Sequence, residues 1–152
     1  MQSILGIFSN HVLFAGILGW FVAQALKIPI YRHIEKKWDF GRFFGSGGMP
    51  SSHSSMVVAT AVMTGATAGF DSVAFAIATV LASIVMYDAA GVRRETGVQA
   101  AVINQILKDV LINGKKISDE ELKELVGHTP LEVLGGALTG LTVAVVYCLI
   151  LF

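Results

Sequence analysis

The residues best suited to chemistry in this chain are Gly47-Gly48-Met49-Pro50-Ser51-Ser52-His53-Ser54-Ser55. A glycine-rich loop runs through a proline into hydroxyls and an imidazole, and an apolar segment follows at once. Unpaired backbone amides at a helix start, with the helix dipole behind them, hold anions and phosphate above all. Two further groups share the same side of the sequence's apolar segments. One is Lys36-Lys37-Trp38-Asp39-Phe40-Gly41-Arg42. The other is split between Asp88-Ala89-Ala90-Gly91-Val92-Arg93-Arg94 and His128-Thr129-Pro130-Leu131-Glu132. A phosphate cradle at the mouth of a membrane helix predicts a ligand with a phosphate head and a lipid tail.

The elements that must position these residues are apolar helices. The chain has 152 residues, 54% of them hydrophobic and only 14% charged, with mean hydropathy +0.68. A soluble domain carries about a quarter charged residues, so the deficit predicts a single all-α integral membrane domain over 1–152. About four transmembrane helices are expected. They run from about Ile4 to Leu26, with Ser9-Asn10-His11 as a polar interruption, then from Ser54 to Phe70, Ser72 to Gly91 and Leu131 to Phe152. The first, lacking a basic flank, is read as a retained helix and not a cleaved signal. Asp71-Ser72 makes the second and third a tight hairpin. Gly65-x-x-x-Gly69 and Gly136-x-x-x-Gly140 have the spacing that lets helix backbones approach in lipid, or are loose glycine use. The lone Cys148 is a small apolar-run residue.

Lys27 to Pro50 and Val92 to Pro130 are the polar connections. The second should carry short amphipathic helices. Val98, Val102, Ile106 and Val110 form one stripe, with Ile103, Leu107 and Leu111 beside it. Asn113-Gly114 ends that stretch, and Ser118-Asp119-Glu120-Glu121 caps a helix ending near Gly127. All 11 Lys and Arg residues fall between Lys27 and Lys123. The positive-inside rule puts both connections in the cytoplasm and both termini outside, most simply across the cell membrane. Zero formal net charge gives no global field for nucleic acid. The glycine faces suit a homodimer.

Pro50-Ser51-Ser52-His53 resembles the Pro-Ser-Gly-His motif of the type-2 phosphatidic acid phosphatase superfamily, which includes vanadium haloperoxidases. Lys36 or Lys37 with Arg42 resembles its first motif, a lysine followed at a distance by arginine. Arg93 or Arg94, with His128-x-x-x-Glu132, resembles its third. Gly-Gly-Met-Pro-Ser-Ser-His-Ser, Tyr87-Asp88-Ala89-x-Gly91-Val92-Arg93-Arg94 and Gly127-His128-Thr129-Pro130 are similar to the divergent branch of that superfamily, over most of the chain. Against the usual pattern, the Lys–Arg spacing is short, Ser52 replaces glycine, a long insertion separates the arginines from His128, and the carboxylate is glutamate.

The resemblance implies a lipid-phosphate or isoprenyl (di)phosphate phosphatase working without a metal or other cofactor. His128 would be the nucleophile and form a phosphohistidine. Glu132, on the same helical face, would hold its tautomer. His53 would be the acid and later the base. Lys36 or Lys37, Arg42 and Arg93 or Arg94 would neutralise the phosphate, with Gly48, Ser51, Ser52 and nearby amides in the cradle and Asp88 in support.

Each residue has a plainer reading. Thr129 to Glu132 fits a capping box with proline at its first helical position. The lysines and arginines suit snorkelling or positive-inside anchors, Trp38 an interfacial ring, and His53 a helix cap. Asp88 pairs with an arginine, orients a catalytic group, or joins Asp39 or Glu95 around Mg²⁺. The competing function is a non-catalytic protein that binds or moves anionic lipid with the same pocket.

Overall fold

The computed structural model of the chain describes residues 4–45, 47–110 and 128–152, with backbone alone at 4–5, 92–95 and 107–110. A 3-10 turn at Ile4–Ser9 leads into α1, His11–Glu35. The supposed interruption at Ser9-Asn10-His11 is the cap of this helix, since Asn10 Oδ1 accepts the Leu13 N–H at 3.1 Å. α1 also runs past the expected boundary at Leu26, through Lys27 and Pro29 to Glu35, and ends at Lys36 in the left-handed region. The charge that marked Lys27 as the start of a loop is accommodated inside the fold, where its Nζ donates to the Gly45 carbonyl at 3.1 Å. The first connection is therefore shorter than expected.

Asp39 caps a second 3-10 turn, Phe40–Phe43, and Ser51 caps α2, Ser52–Ala68. Gly69 turns the chain at φ +96°, and Ser72 both donates to the Gly69 carbonyl and caps α3, Val73–Ala90. This is the tight hairpin the sequence predicts. α4, Val92–Val110, follows Gly91 directly, and α5 spans Pro130–Leu151. α4 exposes Val98, Val102, Ile103 and Ile106 while burying Ala100 and Asn104. Asn113-Gly114 and the helix expected from Ser118 lie outside the described residues.

All described elements are helical, and α1, α3 and α5 are long and apolar enough to cross a membrane. α2, at 17 residues, is one shorter than α3. It is the second expected segment, Ser54 to Phe70, and forms the centre of the bundle, packed on α1, α3 and α5, while α1 also meets α5. The interior is lined by small side chains, among them Ala15, Ala23, Ala59 and Ala144, with Met63 the largest fully buried one. Large apolar side chains such as Phe21, Ile84, Leu138 and Leu149 face outward. That inversion of a soluble core is what lipid favours, because tails solvate Leu and Phe while close helix packing must come from small residues.

Gly136 and Gly140 show where closeness is needed. A Cβ on Gly136 would overlap the Ser51 carbonyl, and one on Gly140 the Ser55 carbonyl. On the opposite flank, Ser55 Oγ donates to the Gly19 carbonyl at 2.7 Å. The first turns of α2 are thus clasped between α1 and α5. Gly65 and Gly69 act differently: Gly65 makes room for the Phe70 and Phe75 rings, and Gly69 is the helix C-cap.

Candidate functional site

Two helix N-termini meet at one end of the bundle, and both histidines of interest stand there. His53 is the second residue of α2. His128 immediately precedes Thr129, the cap of α5, and is only 4% exposed. Their ring centroids are 6.2 Å apart with planes inclined at 61°. The His128 N–H donates to the carbonyl of Ala89 at the end of α3, at 3.1 Å. The Ser51 N–H donates to the carbonyl of Glu132 at 2.9 Å. Backbone hydrogen bonds therefore tie the cap of the helix that carries His53 to the first turn of α5, and His128 itself to the end of α3.

Glu132 makes both contacts that its spacing allows. Its Oε2 accepts the Thr129 N–H at 2.8 Å, while Thr129 Oγ1 accepts the Glu132 N–H at 3.3 Å, which completes a capping box. The same Oε2 faces His128 Nδ1 at 3.3 Å. That contact favours a proton on Nδ1 and leaves Nε2 with its lone pair.

The other expected residues divide. Gly48 adopts φ +79° and Gly47 φ +116°, and a Cβ at either would meet nothing within 4 Å. Their backbone is open on one side, as a cradle requires. Ser51 is fully buried, and its Oγ is engaged by Ser54, whose N–H and hydroxyl lie 3.4 Å and 3.1 Å away. Its hydroxyl caps α2. Ser52 is 4% exposed on the first turn. Arg42 is held beside its own segment: its guanidinium lies 4.3 Å from the Tyr31 ring centroid and its Nε 3.3 Å from Asp39 Oδ2. A hydrogen bond with Tyr31, aided by Asp39, raises its pKa above the ordinary arginine value. Asp88 is half-buried on the last turn of α3, next to Ala89. The side chains of Arg93 and Arg94 lie outside the described residues. Lys36 and Lys37 are exposed where α1 ends. Among the described residues, no three His, Cys, Asp or Glu side chains gather as a metal would require.

Two α1 residues that sequence reasoning passed over lie in the interior instead. Lys27 is 3% exposed, and the charges of Glu132 and Arg42 are both felt at its ammonium. Gln24, one turn earlier, is 4% exposed, and its Oε1 has no hydrogen-bond partner among the described residues. A signal was present. Between Trp20 and Ile30 these are the only polar side chains, and a polar group within a membrane segment marks a functional position by default.

Known proteins agree with the membrane character of this arrangement. The chain is 37% identical over 150 residues to YuiD of Bacillus subtilis (strain 168), described as an uncharacterized membrane protein, covering 92% of this chain and 95% of that one. No solved structure matches it. The model of the Divergent PAP2 family matches residues 8–143, and with most of its length so covered the chain belongs to that family.

Proposed function

We propose that this protein is a membrane phosphatase of lipid phosphates, isoprenyl phosphates and diphosphates included, which works through a phosphohistidine. The observation that carries the reading is the pairing of His53 with His128 at two helix N-termini, with Glu132 on His128 Nδ1. A nucleophile reaches phosphorus from about 3 Å, and a general acid must stand within about 3 Å of the leaving oxygen. Rings 6.2 Å apart are compatible with both contacts on one phosphoryl group.

In the first step His128 Nε2 bonds to phosphorus as the bond to the lipid oxygen breaks. Protonated His53 gives that oxygen its proton, and the lipid alcohol leaves. Water then attacks the phosphohistidine, His53 takes the water's proton, and inorganic phosphate and His128 are released. The negative Glu132 stabilises the cationic ring between the two steps. The open amides at Gly47 and Gly48 and the two helix N-termini supply fixed positive potential to the phosphoryl oxygens. Lys27 joins them as the buried cation, within the field of Arg42, while Arg93 or Arg94 is the further cation expected from the motif and Lys36 and Lys37 serve as interfacial cations. The cationic end faces the cytoplasm, in the cell membrane, which suits lipids made on the inner leaflet.

A second reading has an observation in its favour. His128 is almost wholly buried, which suits a pocket that binds or carries an anionic lipid without turnover. One experiment separates them. Purified protein is assayed for phosphate release from a panel of lipid phosphates, beside His128→Ala and His53→Ala. The phosphatase reading expects release that both substitutions abolish. Release unaffected by either would sink the histidine mechanism, and binding without release would establish the carrier.

A further inference from the structure

We infer that Gln24 and Lys27 form a subsite on α1 that selects a protonated phosphate, the monoanion bearing a P–OH, in which Gln24 Oε1 accepts the P–OH hydrogen bond and Lys27 Nζ meets a charged oxygen. The inference rests on the phosphate-site reading above and adds to it which protonation state is bound, and by what.

Three observations lead there. The first is register. His11 Nδ1 lies 3.0 Å from the Tyr147 hydroxyl at one end of the α1–α5 pair, and farther along Ser55 lies against both Gly19 of α1 and Gly140 of α5. The helices are therefore antiparallel, and Gln24, one turn from Lys27, falls level with Gly135, next to Met49 and Pro50 of the loop. Gln24 thus belongs to the end of the bundle where the histidines stand, within the clasp around α2. The second is the chemistry of the two groups. Gln24 Oε1 is a buried acceptor without a donor among the described residues. Such an atom is costly in an apolar interior unless something donates to it. One of the three Lys27 donors goes to Gly45, and an ammonium has two more. The third is orientation along the helix: residues three apart share a face, and both side chains are buried.

An acceptor beside a cation discriminates by protonation. Phosphate near neutral pH carries a proton to donate, and sulfate does not. A site that offers a buried acceptor rejects the anion lacking the matching donor, because the acceptor and an anionic oxygen are then forced together.

The test uses the purified full chain in detergent, with inorganic phosphate and sulfate as probes, titrated calorimetrically for the wild type and for Gln24→Leu, Gln24→Met and Lys27→Met. Phosphate should bind at least about tenfold more tightly than sulfate, a ratio typical of one matched hydrogen bond. Both Gln24 variants should bring that ratio close to one while their melting midpoints stay at or above that of the wild type, since a buried amide is replaced by a side chain suited to its surroundings. Lys27→Met should weaken both anions. A phosphate-to-sulfate ratio unchanged in both Gln24 variants overturns the inference, as does a large fall in midpoint in both, which would make Gln24 a structural residue. The two readings fail separately. If phosphate binds and His128→Ala abolishes turnover while the ratio ignores Gln24, this inference alone is wrong. If wild type binds neither anion, the phosphate site itself is wrong.

Discussion

Glu132 shows how one carboxylate can be asked for two things at once. Its Oε2 caps α5 through the Thr129 N–H and faces His128 Nδ1. Glu132→Gln separates the roles, because an amide oxygen still accepts from Thr129 but no longer carries the charge that stabilises a phosphorylated imidazole. The expected outcome is a fall in kcat of about a hundredfold or more. The cap should lose no more than about 1 kcal/mol of stability, read as a small shift in thermal midpoint. A large loss of stability with kcat intact would make Glu132 a cap and nothing else. Lysine gives a second contrast. Lys27 is buried beside the charge of Glu132, whereas Lys36 and Lys37 are exposed where α1 ends. Lys27→Met should therefore reduce kcat/KM by about a hundredfold, the scale of one buried charge-assisted contact. Lys36→Ala with Lys37→Ala should stay within about threefold, as for exposed charges. The reverse order would restore the lysine assignment that spacing alone suggests.

At the scale of elements, small residues set how closely α1 and α5 clasp the first turns of α2. A Cβ on Gly136 runs into the Ser51 backbone, which cannot step aside without moving the first turn of α2, where His53 stands. At Gly65 the obstacle is the rim of the Phe70 ring, a side chain that can swing. Gly136→Ala should thus cost about 1–3 kcal/mol, the range for overpacking, and reduce phosphate release with it. Gly65→Ala should cost less and leave release intact, with thermal unfolding and the lipid-phosphate assay as the two readouts. Equal losses would mean that the α2–α5 approach is not what holds the site. The same elements show what was legible beforehand. The cap at Thr129 and the α2–α3 hairpin could be read directly, because local hydrogen-bond chemistry decides them. The end of α1 could not. Lys27 and Pro29 look like the start of a loop, and only the distant Gly45 carbonyl makes a buried lysine tolerable there. The two histidines could be picked out by type, but their meeting depends on Gly136, Ser51 and Ala89 bringing three helices together, which no local pattern encodes. Gln24 and Lys27 did stand out as the polar pair of an apolar stretch, but that Lys27 is buried could not be read, because the Gly45 carbonyl that receives it belongs to a later loop.

Across the whole molecule the two ends of the bundle are chemically unlike. One end has the N-terminus of α1, the C-terminus of α5 and the Gly69–Ser72 turn, where Asp71 is exposed and His11 meets Tyr147. The other has the histidine pair, buried Lys27 and an aromatic collar in which Trp38 stacks on Phe40 and Arg32 lies 5.6 Å from the Trp38 ring centroid. Exposed Trp and Phe beside cations are what a helix bundle presents at headgroup level. The 11 Lys and Arg residues all fall between Lys27 and Lys123 in the sequence, and Lys27, Arg32, Lys36, Lys37 and Arg42 belong to this end. The charge bias is the ground for proposing that the histidine end faces the cytoplasm. Single cysteines test it once Cys148 is replaced by alanine, a half-buried position whose Sγ sits 3.3 Å from Met63 Sδ. An impermeant maleimide added to intact cells should label Asp71→Cys at once and Lys115→Cys only after the membrane is opened. Prompt labelling at Lys115→Cys with protection at Asp71→Cys would invert the protein. The site would then face outward, and the lipid pool it draws on would be that of the outer leaflet.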